Sequence, residues 1–326
     1  MTPEAAESAL TWTYPPPDIW APVEVPAEKQ VDNNALWQEM FFGLGETAAR
    51  TMIQFAPPGG EMAETPLVAV SSVMTIKQPI GVADASGDLP TAGTDFPWCA
   101  FCKLAFGSTV TLQGRTETVA RNSRNPLYCD SCHWLIESYP GYATGSAVVL
   151  AVDMEGSSTS RELGSDLHRQ KLLTWKHSVA REVHKHYGFI HSSIADHAIA
   201  VWFPGFLPPD VRGGGDALEI SAKYALQTAR RLRSTECPVR YRLGVDASEE
   251  VGVFSNRLVA DVPIGPVFVD IFGEAVEVAT DIADDKPSLP EDARYVATTR
   301  VLKAAHETGA KEAGLLSRHQ REAWIL

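Results

Sequence analysis

The sequence predicts an α+β protein: a ferredoxin-like domain, built as an antiparallel sheet with helices, preceded by a small zinc module. Three observations predict it. From residue 146 onward, apolar runs and helical periodicities follow one another as strand–helix–strand–strand–helix–strand, the split pattern of ferredoxin-like folds. Upstream, four of the five cysteines fall in two C-x-x-C pairs. Two aspartates 43 residues apart, Asp153 and Asp196, each sit at the end of an apolar, strand-like run.

Residues 1–33 hold six prolines, including Pro15-Pro16-Pro17, and read as a flexible lead-in with Trp12 and Trp20 as its apolar anchors. Residues 34–55 read as a helix with a stripe through Leu36, Met40, Phe41, Leu44 and Met52, weakened by Gly43 and Gly45. The Gly-, Pro- and Ala-rich stretch that follows holds one strand candidate, 67–76, and the whole of 34–95 carries no legible role. The cysteine module occupies 96–140 and the main domain 146–310. Within it come a strand at 146–153, a helix at 165–187, strands at 188–194 and 198–203, and a helix at 217–232. The long helix carries its apolar stripe at Leu167, Leu172, Trp175, Val179 and Val183. A strand pair across 240–254, a helix near 273–284 and a strand–helix unit through Tyr295 and Leu302 complete the domain, and 311–326 reads as a tail. There is no internal repeat.

At 326 residues and 44% hydrophobic content, the chain can bury one large core or two modest ones. No apolar stretch approaches the roughly 20 residues a membrane span needs. The start, Met1-Thr2-Pro3-Glu4, has neither the basic nor the apolar part of a secretory signal. The expectation is a soluble cytoplasmic protein without a membrane partner. A formal net charge of −13 argues against nucleic-acid binding, though not against a nucleotide whose phosphates a metal ion screens.

Cys99 and Cys102 form one pair, Cys129 and Cys132 the other, with 26 residues between them. Each turn presents two thiolates on one side, and two turns complete a tetrahedron around structural Zn²⁺. A redox dithiol or an iron–sulfur cluster is the competing reading. Arg115, Arg121 and Arg124 lie between the knuckles and read as a solvated basic loop or a dock onto the acidic remainder, rather than a nucleic-acid ribbon. Cys237 stands apart and reads as an inert, partly buried thiol.

A carboxylate at the tip of each of two adjacent strands can hold one or two hard divalent cations against a triphosphate. Asp153 leads into Met154-Glu155-Gly156-Ser157-Ser158, a small-residue turn whose backbone N–H groups suit phosphate oxygens. Turn residues and caps are the bland alternative for two such acids.

The surrounding motifs decide between these readings. The run Val149-Leu150-Ala151-Val152-Asp153-Met154-Glu155-Gly156-Ser157-Ser158 resembles the first metal-aspartate strand and phosphate turn of the class III nucleotide cyclases, the adenylate/guanylate cyclase catalytic domain. Ala195-Asp196-His197 and the strand after it resemble the family's Gly-Asp-Gly hairpin. Arg242-Leu243-Gly244-Val245-Asp246-Ala247-Ser248-Glu249 is similar to its Arg-Ile-Gly-Ile-His-x-Gly-Glu strand. Asp270-Ile271-Phe272-Gly273-Glu274-Ala275-Val276-Glu277-Val278-Ala279 is similar to its Asp-Ile-x-Gly-x-x-Val-Asn-x-Ala segment. Pro97-Trp98-Cys99, Asn125-Pro126 and Tyr139-Pro140-Gly141 resemble a bacterial subfamily with a four-cysteine module before the first cyclase strand.

The resemblance implies that Asp153, Asp196 and the Met154 carbonyl hold two ions, Mg²⁺ or Mn²⁺, against a nucleoside triphosphate. One ion would activate the ribose 3′-OH for attack on the α-phosphorus, giving a 3′,5′-cyclic nucleotide and pyrophosphate. Gly156, Ser157 and Ser158 would cradle phosphate, Ser192 and Asp270 would face the base, and the site would form in a homodimer or a heterodimer with another cyclase-like chain.

Four departures qualify this. Glu277 and Asp281 stand where the family has a ribose-orienting asparagine and a transition-state arginine. An arginine in such a role is worth roughly 10³–10⁵ in rate. A carboxylate at ~5 Å and an effective dielectric of ~20 instead repels a unit of phosphate charge by about 3 kcal/mol. Ser192 replaces a base-reading lysine, which leaves the base open and is similar to bacterial pyrimidine cyclases of antiphage systems. Ala195 and His197 replace the hairpin glycines, and Asp246 and Ser248 replace a histidine and a glycine, with structural consequences. Two readings result: an active cyclase, or a catalytically degenerate pseudo-cyclase acting as a regulatory or heterodimer subunit.

His177, His184, His186, His191 and His197 fall within 21 residues and read as a solvated helix face and its flank rather than a second metal site. Gly213-Gly214-Gly215 lacks the Lys-Ser/Thr ending of a phosphate loop and reads as a turn before a helix.

Overall fold

The computed structural model describes residues 33–43, 52–55, 63–66, 98–101, 105–107, 109–112, 115–155, 165–194, 196–207, 216–235, 237, 239–255, 268–284, 293–308, 311–316 and 321–326. In chain order these form α1 (Asn33–Phe42), β1 (Met52–Phe55), β2 (Ala63–Pro66), β3 (Thr109–Leu112), β4 (Arg115–Thr118), α2 (Asp130–Ser138), β5 (Tyr142–Met154) and α3 (Ser165–Lys185). There follow β6 (Phe189–Ile194), β7 (His197–Trp202), α4 (Ala217–Ser234), β8 (Tyr241–Ser255) and β9 (Val269–Phe272). The chain ends with α5 (Glu274–Ala283), β10 (Tyr295–Thr298), α6 (Thr299–Ala304), β11 (Lys311–Leu316) and β12 (Arg321–Ile325). The lead-in up to residue 32, the strand candidate 67–76, Cys102, Gly156 to Ser158, Ala195 and Gly213 to Gly215 lie outside the described residues.

The centre of the main sheet runs β8-β5-β7-β6, all neighbours antiparallel. With α3 after β5 and α4 after β7, this is the split βαββαβ arrangement expected from the sequence. The inner strand β5 reads as it should for a strand covered on both faces, with every residue from Ala147 to Val152 buried. Apolar residues also fill the inner faces of α3 (Trp175, Val179, Val183) and α4 (Ala222, Ala225, Leu226, Ala229). Asp216 caps α4 by accepting the Leu218 N–H at 2.9 Å.

The structure corrects four expectations. The first helix ends at Phe42, and Met52–Phe55 is instead a strand paired with β2, because glycines at 43 and 45 interrupt the stripe. The expected strand pair across 240–254 is one 15-residue strand. Glu249 and Glu250 look like a turn, yet a bulge between Gly145 and Ala147 of β5 lets pairing resume on both sides of them. The sheet is mixed rather than purely antiparallel, because α5 is a crossover that brings β10 back parallel to β8. The residues read as a tail form β11 and β12, and β12 pairs with β10 at Ala297↔Trp324. These strands are short and lack strict alternation, so periodicity does not expose them.

The α1 helix is integral to the fold. Its side chains clamp the start of β5: Trp37 Nε1 donates to Tyr139 O (2.7 Å), Asn33 Nδ2 to Pro140 O (3.0 Å) and Gln38 Nε2 to Thr144 O (2.9 Å). Phe41 enters an aromatic cluster with Phe101 of the cysteine module and Phe189, Phe203 and Phe206 of the sheet layer, at ring separations of 4.9–6.4 Å. The backbone approach is close: a Cβ at Gly205 would lie 2.1 Å from Met40 O. One apolar cluster therefore runs from Trp37 through the cysteine module to Ala305. Phe41→Ala is expected to lower stability by about 3–5 kcal/mol in urea unfolding. A single transition should persist, since helix, module and sheet share that core.

Candidate active site

The candidate site lies where β5 and β7 meet a turn. Register sets Asp153 opposite His197, and the Met154 N–H donates to Asp196 O at 2.9 Å. Both aspartates thus stand at one end of adjacent strands. Burial pushes the half-buried Asp153 carboxyl up to about 7, with the negative charges of Asp196 and Asp284 adding to the effect and a hydrogen bond from the Met154 backbone opposing it. Asp284, the C-terminal cap of α5, is an acid that sequence reasoning missed. No local signal marks it, because it nears β5 only through the packing of α5. Burial also lowers the pKa of His197, against the opposing pull of Asp284 and Asp196. Asp153, Asp196 and the Met154 carbonyl are hard oxygen donors suited to Mg²⁺ or Mn²⁺. Among the described residues, the sole group of three side-chain donors within 4.8 Å of one another is Cys99, Cys129 and Cys132, so no third side chain joins the two aspartates at that spacing.

Two arginines flank the acids. Arg242 pairs in register with Asp153, and Leu243 N–H donates to Arg294 O at 2.7 Å. Glu155 Oε1 stands 3.3 Å from Arg242 Nε and 3.2 Å from Arg294 Nε.

The second predicted pair is rearranged. In β6, Ile190 pairs with Ala200 and Ser192 with Ile199, which leaves His191 as the extra residue of a bulge. The bulge sends His191 to Asp270: Nε2 lies 3.6 Å from Oδ1, and Nδ1 is 3.1 Å from Val269 O, a contact that puts the proton on Nδ1. Burial lowers the His191 pKa despite the carboxylate. The side chain that meets Asp270 is therefore His191, not Ser192. Alternation counted along an ideal strand cannot anticipate a bulge.

The expected asparagine and arginine positions lie on α5, with Glu277 exposed and Asp281 half-buried. This helix rests directly on β8, where a Cβ at Gly244 would come 2.2 Å from Ala279 O. Asp246 is fully buried and structural: it accepts from Thr298 Oγ1 and from Arg300, which also pairs with Glu274 at 3.0 Å.

In the cysteine module, Cys99, Cys129 and Cys132 are buried together and the Cys129 N–H donates to Cys99 Sγ at 3.2 Å. Arg121 is half-buried and Arg124 is exposed. Arg121 lies 3.9 Å over the Phe106 ring and donates to Pro126 O, and Arg124 pairs with Glu137 at 3.2 Å. The module reaches β9 through Tyr128, whose hydroxyl accepts the Val269 N–H at 3.4 Å. No described helix is long and apolar enough to cross a membrane.

No protein-family model matches the chain, and no curated protein matches it. Among solved structures, it is similar to a bacterial light-regulated adenylyl cyclase, with 14% identity and a TM-score of 0.44, over 60% of this chain and 61% of that one. The adenylyl cyclase CyaB from P. aeruginosa shares 12% identity at a TM-score of 0.38, over 56% and 94% of the two chains. The non-canonical dimeric guanylyl cyclase domain of the RhoGC fusion protein from Blastocladiella emersonii shares 12% at 0.38, over 56% and 96%.

The raised pKa of Asp153 has a signed consequence. Ionising this group weakens the metal-free fold as pH rises from about 4, its ordinary value, to about 7. Its favourable contribution is complete below that window and lost above it. With EDTA present, Asp153→Asn should stabilise the chain at pH 8 by about 1–2 kcal/mol, after discounting for solvent screening of a half-buried group, and leave stability at pH 4 unchanged. Urea unfolding at the two pH values measures this.

Proposed function

We propose that the chain is a nucleotide cyclase-like protein that converts a nucleoside triphosphate to a 3′,5′-cyclic nucleotide and pyrophosphate. The observation that carries this reading is the meeting of Asp153 and Asp196 at one end of adjacent strands, where burial, with the charges of Asp196 and Asp284 adding to it, pushes Asp153 up to about 7. Acids held together against their own repulsion suit a divalent cation, so the donor set fits Mg²⁺ or Mn²⁺. Bound there, such a cation supplies charge neutralisation at phosphate and acidifies the attacking hydroxyl.

The chain's own groups take the remaining roles. Asp153 and Asp196 are the carboxylates that hold the cation, with the Met154 carbonyl beside them. Gly156, Ser157 and Ser158, the small residues that follow Asp153 in the sequence, take the phosphate-cradling role that the resemblance implies. The ribose 3′ oxygen bonds to the α-phosphorus as the α–β bridging P–O bond breaks. The hydroxyl proton leaves to solvent or a nearby base, and pyrophosphate departs. The His191–Asp270 pair lies where Ser192 and Asp270 were expected to face the base, and this small polar pair is compatible with a pyrimidine. Cyclic pyrimidine nucleotides in antiphage signalling are the corresponding biological setting.

A second reading has its own support. Helix α5 presents Glu277 and Asp281 and ends in Asp284, so a self-paired dimer would set acids against the phosphates. That arrangement suits a pseudo-cyclase, or one half of a heterodimer whose partner brings the missing asparagine and arginine. The buried thiols at 99, 129 and 132, with Cys102 three residues after Cys99 in the sequence, fit a structural Zn²⁺ that holds the module together.

Two measurements test these roles. Product formation from ATP, GTP, CTP and UTP with Mn²⁺ should yield a cyclic nucleotide that Asp153→Ala eliminates. Asp153-dependent nucleotide binding without product, alone and beside a candidate partner chain, would establish the pseudo-cyclase instead. Elemental analysis should find one zinc per chain, lost in Cys129→Ser along with several kcal/mol of stability.

A further inference from the structure

The charged residues beside Asp153 form a row across four neighbouring strands. Asp153 on β5 pairs with His197 on β7 and with Arg242 on β8. β10 runs parallel to β8 with Tyr295 beside Leu243, so Arg294 falls next to Arg242. Directly paired residues share a face of a sheet, and Glu155, two residues beyond Asp153, lies on the same side. Adjacent strands are ~4.8 Å apart, so Arg294 stands about 10 Å from Asp153. One half of the row is acidic and the other basic.

Two guanidinium groups approach one carboxylate oxygen, Glu155 Oε1, at 3.2 and 3.3 Å. The Arg294 Nε contact lacks the alignment of a directed hydrogen bond among the described residues. Arg242 is buried, whereas the Arg294 side chain is 34% exposed and open to an incoming ligand. A guanidinium fork matches phosphate oxygens two at a time.

We propose that Arg294 positions the polyphosphate tail of the nucleotide from within the same chain, with Glu155 as the resident counter-ion that the tail displaces. This rests on the nucleotide reading above. The cation sits at the acidic half, and the tail runs along the row toward the arginines. Glu277 and Asp281 bring no positive charge to phosphate, and Arg294 supplies one without a partner subunit. Arg294 is a positioning residue for the distal phosphates, and Glu155 tunes affinity by competing for it.

The test is calorimetric titration of the full chain with inorganic tripolyphosphate and Mn²⁺, with thermal melts verifying that each variant is folded. Arg294→Gln should weaken binding at least tenfold and Arg294→Lys by an intermediate factor. Glu155→Gln should tighten it several-fold, because the arginine no longer faces a full carboxylate charge. A merely structural ion pair would lose affinity in both the Arg294→Gln and Glu155→Gln variants. Loss of affinity in Glu155→Gln, parental affinity in Arg294→Gln, or no tripolyphosphate binding by the parent would each overturn the proposal. The titration requires no turnover. A chain that forms cyclic product yet ignores Arg294→Gln overturns this inference alone. A chain that binds tripolyphosphate through Arg294 yet forms no product overturns only the activity.

Discussion

The register of β5 between β7 and β8 is the constraint on which the candidate site depends. Pairing on both edges sets Asp153 level with His197 on one side and Arg242 on the other. A slip of one residue would turn Asp153 to the opposite face and carry the buried run from Ala147 to Val152 out of phase with both helical layers. The apolar core that determines register therefore also determines which charges meet. The bulge at Gly145 and Ala147 confines the irregularity to the far end of the strand, away from the acids.

Cohesion between the parts comes from aromatic rings. Phe41 of α1, Phe101 of the cysteine module and Phe189, Phe203 and Phe206 of the sheet layer form one cluster, so the segment of unassigned role and the module belong to the same core as the sheet. The module also touches the candidate site through a short path. The Tyr128 hydroxyl receives the Val269 N–H, while the Val269 carbonyl faces the His191 ring and Asp270 follows in the chain. The Val269 peptide is thus held from both sides, which sets the position of β9 and of the carboxylate it carries.

The electrostatics of the sheet end run against stability. Burial and the charges of Asp196 and Asp284 raise the cost of ionising Asp153. Packing alone does not call for acids there, and a cation with a phosphate ligand is the kind of charge that relieves them. Asp246 provides the contrast. It is more deeply buried, yet Arg300 and Thr298 satisfy it internally, which leaves it as a joint between β8 and α6. Two acids of one strand-rich region therefore differ in their partners: arginine and threonine at Asp246, further acids beside Asp153.

Much of the fold was legible in the sequence because it depends on local periodicity. The order of strands and helices from residue 146, the stripe of α3 and the clustering of cysteines all follow from spacing along the chain. Asp153 and Asp196 could be singled out for the same reason, since each ends an apolar run. Tertiary structure alone decided the rest. It replaced Ser192 with His191 as the neighbour of Asp270 through a bulge, brought in Asp284 through helix packing, and joined Arg294 to Arg242 and Glu155 through a parallel crossover. It also turned 311–326 into two strands of the sheet. Spacing determines what a residue's own segment becomes, whereas contacts between segments depend on register and crossover geometry, which no local window of sequence contains.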